Sequence, residues 1–132
     1  LIPCLSKGNV EKVKAAPATA IICHDMEFYQ KLPKLVPHAK NPQMDYIGKT
    51  ELIKETAFRN GTLQGAYFMI AARALGLDCG PMSGFKNAMV DETFLSGTTW
   101  KSNFICNIGY GDASKLFPRA PRPLFEEACR ID

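Results

Sequence analysis

"LDCGPMSGF", residues 77–85, follows the longest run of helically spaced apolar residues and places Gly80, Pro81 and Gly84 within five positions. A simple turn needs only one such residue. Glycines near a helix end let main-chain amides approach a flat or anionic ligand, because no Cβ stands in the way. The pattern GPMSG matches neither GxGxxG nor GxxxxGK[ST], so it supports neither a Rossmann fold nor a P-loop. Two interpretations stay open: a structural connector, and a segment shaped to lie against a ligand.

The run before this stretch predicts one long helix over residues 50 to 75. Thr50 can cap its start, the apolar residues keep mainly to spacings of three and four, and Gly76 ends it as a C′ glycine. Small residues make the helix thin on several sides: Gly61, Gly65, Ala66, Ala71 and Ala72. A thin helix packs closely against its neighbours. We therefore predict a central core helix, with a subunit interface as a compatible second interpretation.

Two apolar runs predict buried strands, "ATAIIC" at 18–23 and "KSNFICNIGYG" at 101–111. Strands separated by helices favour an α/β or α+β layered fold. Short helices are predicted at 9–14, 25–32 and 86–94, the second with Asp25 as N-cap and Pro33 as its limit. A loop is predicted at 36–50. The tail is predicted to be extended over 118–124 and then to form a short turn of helix.

Composition limits the classes of protein to which the chain can belong. Its 132 residues, 46% hydrophobic and 22% charged, fit one globular domain. The net charge of +3 suits a phosphate or carboxylate site and falls short of a nucleic-acid binder. No apolar run approaches the roughly 20 residues of a membrane span, and no signal peptide is visible. Five cysteines without a CxxC motif favour a reducing, cytoplasmic location.

The tail carries a candidate anion site. Arg119 and Arg122 flank a stiff Ala-Pro step, which restricts where both guanidinium groups can lie. Such arginines can grip a phosphate in a bidentate manner, and the alternative is a solvated basic tail. His24 and His38 could join Cys23, but their spacing matches no zinc pattern, so we predict no metal. No general base can be assigned, the catalytic residue stays unknown, and a cofactor is expected to supply the chemistry.

Three motifs together resemble a known family: FRN at 58–60, AARALGL at 71–77 and GPMSGF at 80–85, followed by the stretch from 101 to 130. They resemble the C-terminal two-thirds of the FMN-dependent nitroreductase family, with the malonic semialdehyde reductase branch of pyrimidine degradation as the most similar part. The resemblance implies an α+β, nitroreductase-like fold with a central sheet flanked by helices. Residues 1–132 would form a single domain that is incomplete at the N-terminus.

The resemblance also implies a function. Such a protein is an FMN-dependent oxidoreductase that passes hydride from NAD(P)H through flavin N5 to a small carbonyl compound, similar to malonic semialdehyde, or to a nitro compound. It is a homodimer with FMN at the subunit interface. Arg119 and Arg122 match the family's phosphate-binding basic residues. The residues matching the loop against the isoalloxazine ring are Pro81, Met82, Ser83 and Gly84, with an amide of Ser83 or Gly84 donating toward N5 or O4.

Two departures from the family pattern leave an alternative open. Ser83 stands where many relatives carry a glutamate, a difference shared with the malonic semialdehyde reductase branch. Family members also begin with an arginine-serine-arginine cluster that holds the flavin, and no such cluster stands ahead of Leu1. The alternative is a non-catalytic flavin-binding or dimerisation remnant.

Overall fold

A three-stranded antiparallel sheet forms the centre of the computed structural model, which describes residues 1–131. The strands are β1 (Ala18–Asp25), β2 (Asp78–Met82) and β3 (Trp100–Gly109), in the spatial order β1-β3-β2. The helices are α1 (Val10–Ala15), α2 (Leu32–Leu35), α3 (Thr50–Ala74), α4 (Asn87–Phe94) and α5 (Phe125–Ala128). Short 3-10 turns cover Ile2–Cys4, Lys7–Asn9, Phe28–Lys31, Pro42–Asp45 and Ala113–Lys115. The predicted α+β arrangement, a sheet flanked by helices, is confirmed.

The hydrophobic core lies on the sheet face opposite α3. Ile105 of β3 and Val90 of α4 are fully buried there, and the N-terminal Cys4 and Leu5 and the loop residue Phe85 complete the cluster. The N-terminal segment is held in place because Leu5 and Phe85 form an isolated antiparallel bridge. The core therefore joins the start of the chain to the segment that follows β2.

Helix α3 packs on the other face of the sheet through residues without bulky side chains. A Cβ on Gly61 would lie 2.7 Å from Cβ of His24, and one on Gly65 would lie 2.6 Å from the Phe104 ring. Both distances are below normal contact, so glycine permits this close approach. Large apolar side chains instead project from α3 into solvent. The predicted close packing of a thin helix is confirmed on one side, whereas the predicted central position in the core is wrong, because α3 buries only that side.

The opening stretch differs from the prediction, because Asp78–Met82 is a β-strand and not only a shaped connector. Pro81 lies opposite Cys106, on a strand that has a neighbour on one side only. Proline lacks an N–H and is therefore tolerated at a sheet edge, where one side of the backbone has no ladder to complete. The local sequence pattern did not predict this strand, because glycine and proline usually interrupt strands.

Several boundaries also differ. His24 and Asp25, predicted to open a helix, complete β1, and Pro33 lies in the first turn of α2 instead of ending a helix. The predicted loop at 36–50 contains the turn Pro42–Asp45. Helix α3 begins at Thr50, but the prediction that Thr50 caps it is wrong, because Lys49 is the N-cap residue and no side chain caps the helix. Gly76 has the positive φ of 82° expected of a C′ glycine.

After β3 the chain continues as an exposed segment, residues 110–131, which we call the arm. Its large apolar side chains are 54–94% exposed: Tyr110, Leu116, Phe117, Leu124, Phe125 and Ile131. The predicted extended stretch and short terminal helix are both present, the latter as α5. None of the helices within residues 1–131 has the length and apolar character needed to span a membrane.

Candidate functional site

The four residues predicted to contact a cofactor lie at the end of β2 and just beyond it. Pro81 and Met82 pair in register with Cys106 and Ile105 of β3, and Ser83 and Gly84 follow the last strand residue. Pro81 and Ser83 are exposed, whereas Met82 and Gly84 are half-buried. Pairing with β3, the central strand, therefore holds the start of this stretch in place, and the stretch is exposed at Pro81 and Ser83.

The N-terminal segment fixes the turn after β2. The Gly84 carbonyl oxygen accepts hydrogen bonds from the Ser6 amide at 2.9 Å and from the Asn9 side-chain Nδ2 at 3.1 Å. The Phe85 amide donates to the Ser83 carbonyl at 3.0 Å. The peptide group between residues 84 and 85 is thus held on both its oxygen and its nitrogen, so its orientation is set before any ligand arrives.

The absence of a side chain at Gly84 serves the protein itself. A Cβ there would lie 2.6 Å from Nδ2 of Asn9 and 3.4 Å from Cβ of Ser6. The sequence suggested that this glycine keeps space open for a ligand. That explanation needs correction, because the space beside its α-carbon is filled by Asn9.

Two main-chain donors beside this anchored peptide group are unused. The amides of Ser83 and Gly84 donate no hydrogen bond to any group in residues 1–131, and the Asn9 Oδ1 atom accepts none there. Because Ser83 is exposed and Gly84 is half-buried, these donors are open to water or to a ligand. The turn thus carries two unpaired main-chain donors, and Asn9, which contacts Gly84, carries an unpaired acceptor.

Sequence reasoning missed Asn9, because it interacts with a residue 75 positions away. Its own local pattern gives only a weak signal, an asparagine ahead of α1, which is a common N-cap residue. In the structure Asn9 is the N-cap position of α1 but makes no capping hydrogen bond with its side chain. That side chain is used for Gly84 instead.

A cavity of about 500 Å³ lies beside the β2 edge and the start of the arm. Asn107 of β3 borders it and is held by two contacts, donating to the Lys12 carbonyl at 2.9 Å and accepting from the Thr19 hydroxyl at 2.7 Å. Gly80 and Lys115 also border the cavity. Lys12, Asp78 and Asp112 line it as well, and Lys115 pairs with Asp112 at 3.4 Å, so the two lysines are balanced by two carboxylates.

The structure does not bring Arg119 and Arg122 to residues 81–84 of the same chain. Both arginines lie exposed on the arm. Arg122 Nη1 donates to the carbonyls of Ala120 at 2.8 Å and Pro121 at 3.3 Å, which folds its side chain back along the arm. No hydrogen bond or ion pair among the residues described joins either arginine to the turn after β2.

A second group of titratable side chains lies at the end of β1. Burial raises the pKa of the Cys23 thiol and lowers the pKa of the His24 imidazole. The His24 Nδ1 atom is buried without a hydrogen-bond partner, and the ring packs edge-on against Phe58 at 5.7 Å between centroids. Across residues 1–131, no group of three His, Cys, Asp or Glu side chains is placed to hold a metal ion.

Comparison with known proteins identifies the fold and the family. The family model described as "Nitroreductase family" matches residues 5–110. A relative from Rhodopseudomonas palustris, provisionally named NADH dehydrogenase/NAD(P)H nitroreductase, is 57% identical over 99% of this chain and 66% of its own length. The chain thus spans just under two thirds of that relative.

Two solved structures share the fold at low sequence identity. A provisionally named nitroreductase from Bacillus subtilis aligns with a TM-score of 0.81 at 21% identity, over 95% of this chain and 68% of its own. Another from Exiguobacterium sibiricum, crystallised in complex with FMN, aligns with a TM-score of 0.79 at 21% identity, over 100% and 70% of the two chains. The family match, the identity to the relative and the shared fold agree: the chain belongs to the nitroreductase family.

Proposed function

We propose that this chain carries part of the active site of an FMN-dependent oxidoreductase that passes hydride from NAD(P)H to a small carbonyl compound, similar to malonic semialdehyde, or to a nitro compound. Membership of the nitroreductase family supports the reaction class. One structural observation supports the site: the unpaired amides of Ser83 and Gly84 beside the unpaired Oδ1 of Asn9.

The hydrogen-bonding groups of this turn are complementary to the reactive edge of a flavin. N5 and the C4 carbonyl of an oxidised isoalloxazine are acceptors, and N3–H is a donor. The amides of Ser83 and Gly84 would serve the first two, and the Asn9 Oδ1 would serve the third. FMN, when bound, supplies the hydride-accepting and hydride-donating centre, and the protein contributes position and hydrogen bonds.

Main-chain donors suit this role because they cannot be lost by side-chain rotation. The anchored peptide group at 84–85 keeps the turn from reorganising when charge develops on the ring. Preorganised donors of this kind stabilise developing negative charge more than mobile ones do. Pro81 and Met82 would complete the surface against the ring.

The phosphate of FMN would be held by Arg119 and Arg122. Both arginines are exposed, and among residues 1–131 neither has a hydrogen bond to residues 81–84, which fits a site in which the arginines serve a second copy of the chain. This arrangement requires a homodimer, with FMN at the subunit interface.

The exposed face of α3 supports the homodimer. Ile53, Ala57 and Gly61 face the sheet, while the opposite side of the helix carries large apolar residues that are 41–72% exposed: Leu52, Leu63, Tyr67 and Ile70. A soluble monomer rarely exposes a contiguous apolar patch of this kind. A second α3 is the partner that these residues would fit.

The proposal is tested on the full-length protein purified from cells. Its absorbance spectrum is recorded and its oxidation of NAD(P)H is assayed. We expect a yellow protein with a flavin absorbance band at about 450 nm, and NAD(P)H oxidation when a carbonyl or nitro acceptor is added. Comparing malonic semialdehyde with a nitroaromatic compound separates the two acceptor classes. A colourless protein that takes up no added FMN would contradict the proposal and favour a dimerisation remnant.

A further inference from the structure

Asp78 occupies a junction between three elements of the fold. It is the first residue of β2 and pairs in register with Gly109, the last residue of β3. Its Oδ2 atom accepts a hydrogen bond from the Gly111 amide at 2.7 Å, and its Oδ1 atom accepts one from Arg73 at the end of α3. One carboxylate therefore ties the end of α3 and the start of β2 to the root of the arm.

The contact at the root of the arm is close. A Cβ on Gly111 would lie 3.1 Å from Oδ2 of Asp78, which is tighter than most real Cβ contacts. Arg73 also donates to the Leu77 carbonyl at 3.2 Å, so the guanidinium group supports the carboxylate from the body side. Gly111 thus lets the backbone approach an Asp78 side chain that is itself held in place.

Further along the arm, the hydrogen bonds of several residues stay within the arm. Ser114 donates to Asp112, Arg122 donates to the carbonyls of Ala120 and Pro121, and the Leu124 amide donates to Glu127. These contacts set local shape but not the direction in which the whole segment leaves the body. A small change of angle at its root moves residues ten positions away by many ångströms.

We propose that Asp78 is a positioning residue that fixes the direction in which the arm leaves the body, and so the place at which Arg119 and Arg122 arrive. This inference rests on the proposed function, because it assigns those arginines to the FMN phosphate. The bond from the Gly111 amide carries this role, and the largely exposed ion pair with Arg73 adds little to it.

Two variants separate the two contacts of this carboxylate. Asp78→Ala removes both, whereas Arg73→Ala removes the ion pair and leaves the bond to Gly111. The ion pair is more than half exposed on the Arg73 side, so its loss alone should change little. Arg73→Ala is therefore the matched control, and Asp78→Asn, which keeps an acceptor for Gly111, is the conservative variant expected to rescue.

Hydrogen exchange over residues 110–116 is the first readout. In Asp78→Ala we expect amide exchange in this peptide to rise about tenfold or more, the effect of losing one hydrogen bond to a charged group. Exchange in β3 should stay unchanged, and Arg73→Ala and Asp78→Asn should resemble the parent. Unchanged exchange at 110–116 in Asp78→Ala would overturn the inference.

The ratio of FMN affinity to riboflavin affinity is the second readout, and a general loss of stability would not move it. We expect the preference for FMN to fall several-fold in Asp78→Ala, because the arginines no longer arrive at the phosphate. An unchanged ratio together with altered exchange would overturn the link to the arginines. If the parent binds no flavin, the proposed function fails, while the exchange experiment still decides whether Asp78 directs the arm.

Discussion

The side chain of Asn9 donates a hydrogen bond to the Gly84 carbonyl at 3.1 Å, across 75 residues of sequence. This contact joins the N-cap position of α1 to the turn after β2. The Ser6 amide donates to the same oxygen. The amides of Ser83 and Gly84 have no partner among residues 1–131. The proposed flavin contacts thus depend on a residue that lies outside the Gly-Pro motif.

Replacing Asn9 with alanine should weaken FMN binding about tenfold, which corresponds to the loss of one good hydrogen bond and a less ordered turn. The unfolding free energy should fall by only about 1 kcal/mol, because the Ser6 amide still holds the Gly84 carbonyl. Isothermal titration with FMN and urea denaturation measure the two effects.

Ser6→Ala is the control for Asn9→Ala. It removes a neighbouring side chain but keeps the backbone bond from residue 6 to Gly84. Its flavin affinity should match that of the parent. Equal losses in the two variants would show that Asn9 acts only through general packing of the N-terminal segment.

Much of the fold could be predicted because the signal was local. Helix α3 has 25 residues of periodic sequence and a terminal glycine, and β1 and β3 are continuous apolar runs. Strand β2 was missed because it pairs through a backbone that contains Gly80 and Pro81, and local pattern treats both as breakers. Only knowledge that the strand lies at a sheet edge makes that proline acceptable.

The candidate site was harder to predict, because its contacts are distant in sequence. The sequence indicates that Gly84 permits another group to approach the backbone closely, but it does not identify that group. The structure gives Asn9 as the answer at that α-carbon. The junction at Asp78 was likewise invisible, since Arg73 and Gly111 come from elements whose relative placement no local pattern specifies.

Gly65→Leu should destabilise the protein by about 2–3 kcal/mol, the cost of overpacking a close helix–sheet contact. A Cβ at this position would already lie 2.6 Å from the Phe104 ring and 2.9 Å from Cγ2 of Ile22. Thermal or urea denaturation measures the loss. The neighbouring Gln64→Leu, at an exposed position of the same helix, is the control and should change stability little; similar losses at both positions would contradict the packing argument.

Placing acidic charge on the exposed stripe of α3 should dissociate the proposed homodimer. We expect the double variant Tyr67→Glu and Ile70→Glu to sediment as a monomer at concentrations where the parent is a dimer, because two charges would be buried without partners. Ala88→Glu with Thr93→Glu, on the exposed side of α4, should leave the assembly unchanged. A monomeric parent would refute the interface directly.

Stability should fall as the pH drops below about 6.5, because burial holds the pKa of His24 below its ordinary value of 6.5. The unfolded chain then binds a proton that the folded chain binds only at lower pH, so protonation favours unfolding until the folded pKa is reached. Asp91 opposes this shift and Lys101 adds to it. Denaturation midpoints between pH 5 and 8 should depend less on pH in His24→Gln, and an identical slope in both proteins would count against a neutral buried imidazole.

Replacing Arg119 and Arg122 together with alanine should reduce affinity for FMN much more than affinity for riboflavin, which lacks the phosphate. Each guanidinium that contacts a phosphate contributes charge-assisted hydrogen bonds, so we expect a loss of about tenfold or more for FMN and little change for riboflavin. Titration of each ligand, monitored by quenching of its fluorescence, gives both affinities. The single variants then show which arginine dominates. Equal losses for the two ligands would mean that the arm stabilises the ring site or the dimer and does not bind the phosphate.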